Sequence, residues 1–141
     1  MDFSIVKAGW DEQQDALRYL RETVFIKEQH VPEDLEWDDE DTSSVHFLAF
    51  DNQQQPLGCV RLTPSGQLSR LCVLESLRNQ GIGKALLEGA EQHARDAGMG
   101  EIYLHAQTHA TSFYEAAGFT VTGGTFLEAD IPHRQMYKEL A

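Results

Sequence analysis

The chain is 141 residues long, 41% hydrophobic and 24% charged, with 23 acidic against 11 basic residues and a formal charge of −12. That length predicts one domain, residues 1–141, around one core, and the charge would repel DNA or RNA while drawing in cations. No apolar run is long enough for a membrane span, and the opening "MDFSIVKAGWDEQ" has no basic region followed by an apolar stretch, so a soluble, cytoplasmic protein is expected.

In chain order, residues 3–7 alternate apolar and polar and predict a first strand. Residues 11–28 carry Ala16, Leu17, Leu20 and Val24 at helical spacing, with Asp11 as the expected N-cap and Val31-Pro32 as the stop. In the segment after that stop, seven of the nine residues from 33 to 41 are acidic. Strands are predicted over 45–50, 57–63 and 67–73, joined by short polar turns as an antiparallel meander. From Ile82 to Ala97 the pattern changes to a helical period, with Gly98 as its stop. A strand over 102–106, a short helix over 108–118, and closing strands over 119–122 and 135–139 complete a mixed α/β order.

The two cysteines, Cys59 and Cys72, lie in strand-like surroundings without CxxC or metal-ligand spacing and are expected to be reduced core residues. The histidines form no metal-like grouping with carboxylates, and no metal is expected. The acidic segment lacks the glycine and the spaced oxygens of an EF-hand.

The chemistry is concentrated in "RNQGIGK", Arg78 to Lys84. A P-loop would need glycine at position 78 and a hydroxyl after the lysine, where Arg78 and Ala85 stand. A dinucleotide fingerprint would need a third glycine where Leu86 stands. The pattern [QR]-x-x-G-x-[GA] does match, at Arg78, Gly81 and Gly83. A helix N-terminus there presents unpaired N–H groups, glycine permits close approach, and Arg78 and Lys84 add positive charge, which together suit a pyrophosphate.

With that loop between a strand and a long helix, and with "FYEAAGF" following, residues 67–122 resemble the acyl-CoA-binding core of the GNAT N-acetyltransferase superfamily. "VFIKEQHVPEDLEWDDED" and "FLEADIPHRQM" resemble segments of its YjcF/ElaA-like branch. One departure is Asp130, where the branch usually has glycine.

The resemblance implies a single-domain GNAT-like mixed sheet, with an antiparallel N-terminal meander and two central parallel strands, 67–73 and 101–106, splayed around acetyl-CoA. The loop of Arg78, Asn79, Gln80, Gly81, Ile82, Gly83 and Lys84 would hold the CoA pyrophosphate. The main chain of Leu71, Cys72 and Val73 would pair with the pantetheine arm, and the Val73 N–H would polarise the thioester carbonyl. Gln107 stands where many relatives have an asparagine that contacts the cofactor. The implied reaction is direct attack of an amine on the thioester in a ternary complex, with Tyr114 as the acid toward the leaving thiolate. For the base, His133, Glu128 and Glu28 are the candidates, with His105 a lesser one that an ordinary strand histidine explains. An acyl-cysteine at Cys72 is disfavoured because no base adjoins it in sequence.

Two readings of residues 33–41 stay open: a solvated acidic loop, or a wall of the acceptor site drawing in a cationic amine. The expected partner is thus a small-molecule or peptide amine, with no nucleic acid and no membrane; homodimers are common in the superfamily, so a homodimer is compatible. The alternative function is a non-catalytic acyl-CoA-binding or interaction module on the same fold.

Overall fold

A computed structural model describes residues 2–140. The first strand, β1 (Phe3–Ala8), leads into helix α1 (Gln14–Arg21), which carries Leu17 and Leu20 on its buried face. The cap position is Gln13, without a side-chain cap, so Asp11 does not start this helix. The single predicted helix over 11–28 is in fact two kinds of helix. Glu22–Glu28 widens into π geometry, seen in the Gln29 N–H donating to Val24 O across five residues. Thr23 Oγ1 bonds back to Tyr19 O at 2.7 Å, a competition with the helical ladder to which hydroxyl side chains are prone. π-Turns of this kind recur at functional sites.

The acidic segment is ordered. It forms a short helix, α2 (Glu33–Glu36), and a 3-10 turn, Asp41–Ser43, before the meander β2 (Val45–Asp51), β3 (Pro56–Leu62) and β4 (Gln67–Val73). Helix α3 (Ile82–Asp96), strand β5 (Glu101–Gln107) and helix α4 (Thr111–Ala116) follow. The chain closes with a hairpin, β6 (Thr120–Glu128) and β7 (Ile131–Glu139), longer than the sequence pattern predicts. Its outer half is masked in the sequence by Gly123, Gly124 and Pro132, which are weak strand formers; β6 pairs with β7 on both sides of the glycines, at Thr120–Thr122 and Phe126–Glu128, and β7 pairs with all of β5 from His133 to Glu139. Ala129 and Asp130 form the two-residue turn, with φ of 51° and 61°. Both are left-handed, as the primed hairpin turns require, and Asp is among the few residues that visit that region readily. That accounts for Asp130 standing in the place of a glycine.

The sheet order is β1-β2-β3-β4-β5-β7-β6, antiparallel except for the β4–β5 pair. That parallel pair is zipped only at Gln67↔Tyr103 and Leu68↔Leu104. Beyond these residues the two strands diverge toward their C-terminal ends, as the resemblance implies.

Two cores cover the two faces. Leu86, Leu87, Ala90 and Ala94 of α3 pack on Phe47, Val60, Leu68 and Leu104 on one face. Leu17, Leu20 and Val24 pack on Leu48, Cys59 and Cys72 on the other. Leu68 and Cys72 are four residues apart on one strand, yet they enter opposite cores. A bulge is the reason: between Cys59 and Arg61 the partner strand advances from Cys72 to Ser69, one residue more than β3 does. The extra residue reverses the side-chain alternation. Arg70 sits within it at φ 58°, an uncommon conformation for a long side chain.

Candidate active site

A cleft of about 1060 Å³ passes through the sheet where β4 and β5 part. On the α3 face it is lined by Leu71, Val73, the loop 78–84, Leu87, Phe113 and Tyr114. On the α1–α2 face it is lined by Phe25, Val31, Leu35, Asp38, Glu40, His105, Ile131 and His133.

The α3 side is built from main chain. Asn79 and Gly81 hold left-handed φ of 65° and 85°, which turns the loop into the first turn of the helix. The first helical bond is Ala85 N–H to Gly81 O, so the N–H groups of Ile82, Gly83 and Lys84 point out unpaired with the positive end of the helix dipole. A Cβ at Gly81 would meet nothing within 4 Å, so the space over the loop is open. In β4 the hydrogen bond from Leu74 N to Leu57 O sets the ladder's phase. The next pair, Gly58↔Val73, is then a non-bonded pair, and the Val73 N–H turns away from β3 into the cleft. Arg78 Nε donates to Val73 O at 3.0 Å, on the same side as the Val73 N–H, and fixes the following 73–74 peptide. Gly58 keeps β3 close at this point, for a Cβ there would lie 2.6 Å from Cys72 O.

Tyr114 packs edge-on against Phe113 and Phe119, at ring separations of 5.1 and 6.0 Å. Burial raises its phenol above the ordinary range, so the hydroxyl keeps its proton at any physiological pH. Gln107 lines the cleft, and its Nε2 donates to Gln29 Oε1 at 2.9 Å, tying the end of β5 to the end of the π segment.

The base candidates separate. Glu28 corrects an expectation: both carboxylate oxygens accept from the Arg78 guanidinium at 2.7 Å. That bond, opposed by partial burial, holds its pKa below the usual value and engages both oxygens with a cation. Nor does Glu28 line the cleft. His133 does, and is buried. Its Nδ1 lies 2.6 Å from Ile131 O, and a carbonyl can only accept. Nδ1 therefore carries a proton, and Nε2 lies 3.7 Å from Glu128 Oε2. The other oxygen of Glu128 accepts from His105 Nδ1 at 3.0 Å. Glu128 thus stands between two imidazoles. For His105 the alternation of β5 contains the signal that it faces the cleft. Ile102, Leu104 and Ala106 are buried in the α3-side core, so His105 shares the opposite face with Gln107.

Cys72 is fully enclosed beside Cys59, with the sulfurs 3.6 Å apart. The thiol contact with Cys59 and then burial push its pKa well up, the reverse of what a nucleophilic thiolate needs.

The acidic segment is neither of the two simple readings. Glu36 and Asp41 are buried, and with Asp38 they alternate with three arginines in a closed ring. Arg21 pairs with Glu36 (2.8 Å) and Asp41 (2.7 Å), and Arg61 with Asp41 (3.1 Å) and Asp38 (2.7 Å). Arg70 closes it onto Asp38 (3.2 Å) and Glu36 (2.8 Å). Trp10 and Trp37 flank the Arg21 guanidinium at 5.5 and 5.0 Å. The ring fixes α2 to α1 and to the bulge of β4. Burial leaves Glu36 with a raised pKa despite its two arginines, whereas in Asp38 the Arg61 contact overcomes burial and lowers it.

A sheet split at a parallel pair, with a bare helix N-terminus over the split, defines an acyl-CoA transferase scaffold. The family model for the acetyltransferase (GNAT) domain matches residues 10–140. The chain is 37% identical over 140 residues to the uncharacterized N-acetyltransferase YjcF of Bacillus subtilis, covering 96% of this chain and 99% of that one. The crystal structure of Escherichia coli ElaA superposes with a TM-score of 0.88 at 26% identity, over 98% of this chain and 100% of that one. An acyl-CoA N-acyltransferase from Pseudomonas aeruginosa does so at 0.86 and 29%, over 97% and 99%. The chain belongs to the GNAT acetyltransferase family. It is an acyl-CoA N-acyltransferase, which sets aside the non-catalytic alternative, and its co-substrate is CoA-based. The open space over Gly81, the three unpaired N–H groups and the outward Val73 N–H fit such a group. Among the described residues no helix is long and apolar enough to cross a membrane.

Proposed function

We propose that this protein transfers an acetyl group from acetyl-CoA directly to an amine of a small molecule or peptide. The observation that carries this reading is one cleft holding the bare α3 N-terminus and Tyr114 on one side of the split sheet, and His133 with Glu128 on the other. Acetyl-CoA, when bound, supplies the activated thioester carbonyl.

The N–H groups of Ile82, Gly83 and Lys84 bind the pyrophosphate, with Asn79, Gln80 and Gly81 shaping the loop. Arg78, already neutralised by Glu28, acts mainly by holding the Val73 peptide in place. The Val73 N–H faces the thioester oxygen, an oxyanion-type contact whose loss typically costs about 3 kcal/mol in a barrier. Leu71 and Cys72 contribute main chain to the same edge, and Gln107 positions the end of β5. His133 Nε2 takes the proton that the acceptor ammonium must lose, and Glu128 stabilises the resulting imidazolium. Tyr114, protonated at rest, gives its proton to the departing sulfur and is restored by the proton that the nitrogen sheds as the amide forms. A buried, protonated Cys72 supports direct transfer without an acyl-enzyme.

The test is isothermal titration with acetyl-CoA, followed by thiol-release assays against a panel of amines. Saturable binding and transfer to at least one amine are expected. Absence of binding at high micromolar acetyl-CoA would refute the reading.

A further inference from the structure

The acceptor side of the cleft has a charge pattern that discriminates among amines. Its two arginines, Arg61 and Arg70, and the enclosed Arg21 behind them are each already paired with two carboxylates of the ring, and the ring balances three positive against three negative groups. Two further carboxylates line the same cleft outside it: Glu40, whose only cationic contact among the described residues is Arg61 at 3.8 Å, and Glu128. Both side chains are about half exposed, 47% and 50%. A carboxylate or phosphate on the acceptor would therefore enter a field of excess negative charge whose guanidinium partners are taken. An ammonium would be drawn in.

The same side also carries apolar residues at its mouth. Leu35 is 54% exposed on α2 while lining the cleft, and Phe25, Val31 and Ile131 line it too. Leu35 cannot retreat into the core, because the ion-pair ring anchors the last residue of α2, Glu36, on one side of it. A large side chain held in water at the mouth of a binding cleft is a seat for an apolar body.

We infer that the acceptor is a primary amine on an apolar body with no anionic group near the nitrogen, an alkyl- or arylalkylamine and not an α-amino acid. This rests on the N-acyltransferase reading and narrows it. Glu40 and Glu128 select the ammonium, Leu35 holds the body, and the closed ring denies the site a carboxylate receptor.

Matched substrates test it. With acetyl-CoA, 2-phenylethylamine is compared with phenylalanine and phenylalaninamide, and 3-methylbutylamine with leucine, by thiol release. The amines are expected to exceed their amino acids by about tenfold or more in kcat/KM, as like charges brought together at a binding surface are strongly disfavoured. Phenylalaninamide, with the shape but not the charge, is expected to fall with the amine. Leu35→Ala should raise KM for both amines severalfold at unchanged kcat, and Glu40→Lys should shrink the amine-to-amino-acid ratio, each without altering acetyl-CoA affinity. Transfer to the amino acids at rates equal to the amines would overturn the inference and leave the N-acyltransferase reading standing. Acetyl-CoA binding without transfer to any of the five compounds would count against the acceptor class. Absence of acetyl-CoA binding altogether would remove the parent reading as well.

Discussion

The two faces of the cleft are made in different ways. The anion-binding part of the α3 face comes from one run of sequence, residues 71–84, and presents backbone N–H groups, with Tyr114 of α4 beside it. The α1–α2 face comes from the π segment, α2, β5 and the turn of the last hairpin, and presents side chains. Main-chain recognition of a pyrophosphate needs only a conformation, which glycine and a helix start supply locally. Side-chain recognition of an amine needs groups brought together from across the chain, and here it needs a buried ring of charges to hold them. One face can thus be altered without unfolding the protein, and the other is tied to the stability of the fold.

The largest expected effect follows from that tie. Asp41→Ala leaves Arg21 and Arg61 short of a buried partner, and loss of one member of a buried charge pair typically destabilises by about 3–5 kcal/mol. Chemical denaturation should show that loss, and a midpoint within experimental error of wild type would mean that the ring does not anchor the acceptor face.

Tyr114→Phe should lower kcat by about a hundredfold or more, the usual range for loss of a positioned proton donor. Acetyl-CoA affinity should stay within twofold by titration calorimetry, since the ring and its packing remain. An unchanged kcat would remove Tyr114 from the chemistry.

On the backbone-built face, Gly81→Glu should abolish measurable acetyl-CoA binding. A side chain fits sterically there, and the left-handed φ of 85° adds only about 1–2 kcal/mol of strain. A folded protein that no longer binds is the expected outcome; unaltered affinity would move the pyrophosphate elsewhere.

The smallest effect concerns Glu28, whose pair with Arg78 is partly exposed. Glu28→Gln should destabilise by less than about 1 kcal/mol at neutral pH. Because the folded carboxylate titrates below its ordinary value, the pair's contribution is present above the unfolded pKa of about 4.3 and disappears as pH falls through the folded value. The stability curves of the wild type and of the Glu28→Gln variant should therefore converge only once the pH has fallen below the lowered folded-state value of Glu28. A difference that persists below that value would show that Glu28 acts through something other than its charge.

These contrasts also explain what could be read in advance. Gly81, Gly83 and the helix that follows declared the α3 N-terminus, and the turn-linked meander declared the order of β2, β3 and β4. The bulge at Arg70 was hidden, since nothing local asks an arginine to adopt φ 58°; Glu36 and Asp38, more than thirty residues away in the chain, hold it there. Glu28 looked like a base until Arg78, 50 residues on, took both its oxygens. His105 gained its place only when Glu128 came within 3.0 Å across the hairpin.

By itself the sequence determined the order of the strands and long helices, the glycine-marked helix start and the family, because each rests on short-range spacing and backbone freedom. Tertiary structure alone decided which carboxylates face arginines and which face the cleft, since a charge has no fixed role until burial and partners assign one. Seven acidic residues in a row of nine read as one solvated patch or one wall. Folded, Glu36, Asp38 and Asp41 became a neutral ring with three arginines, and Glu40 was left to line the cleft.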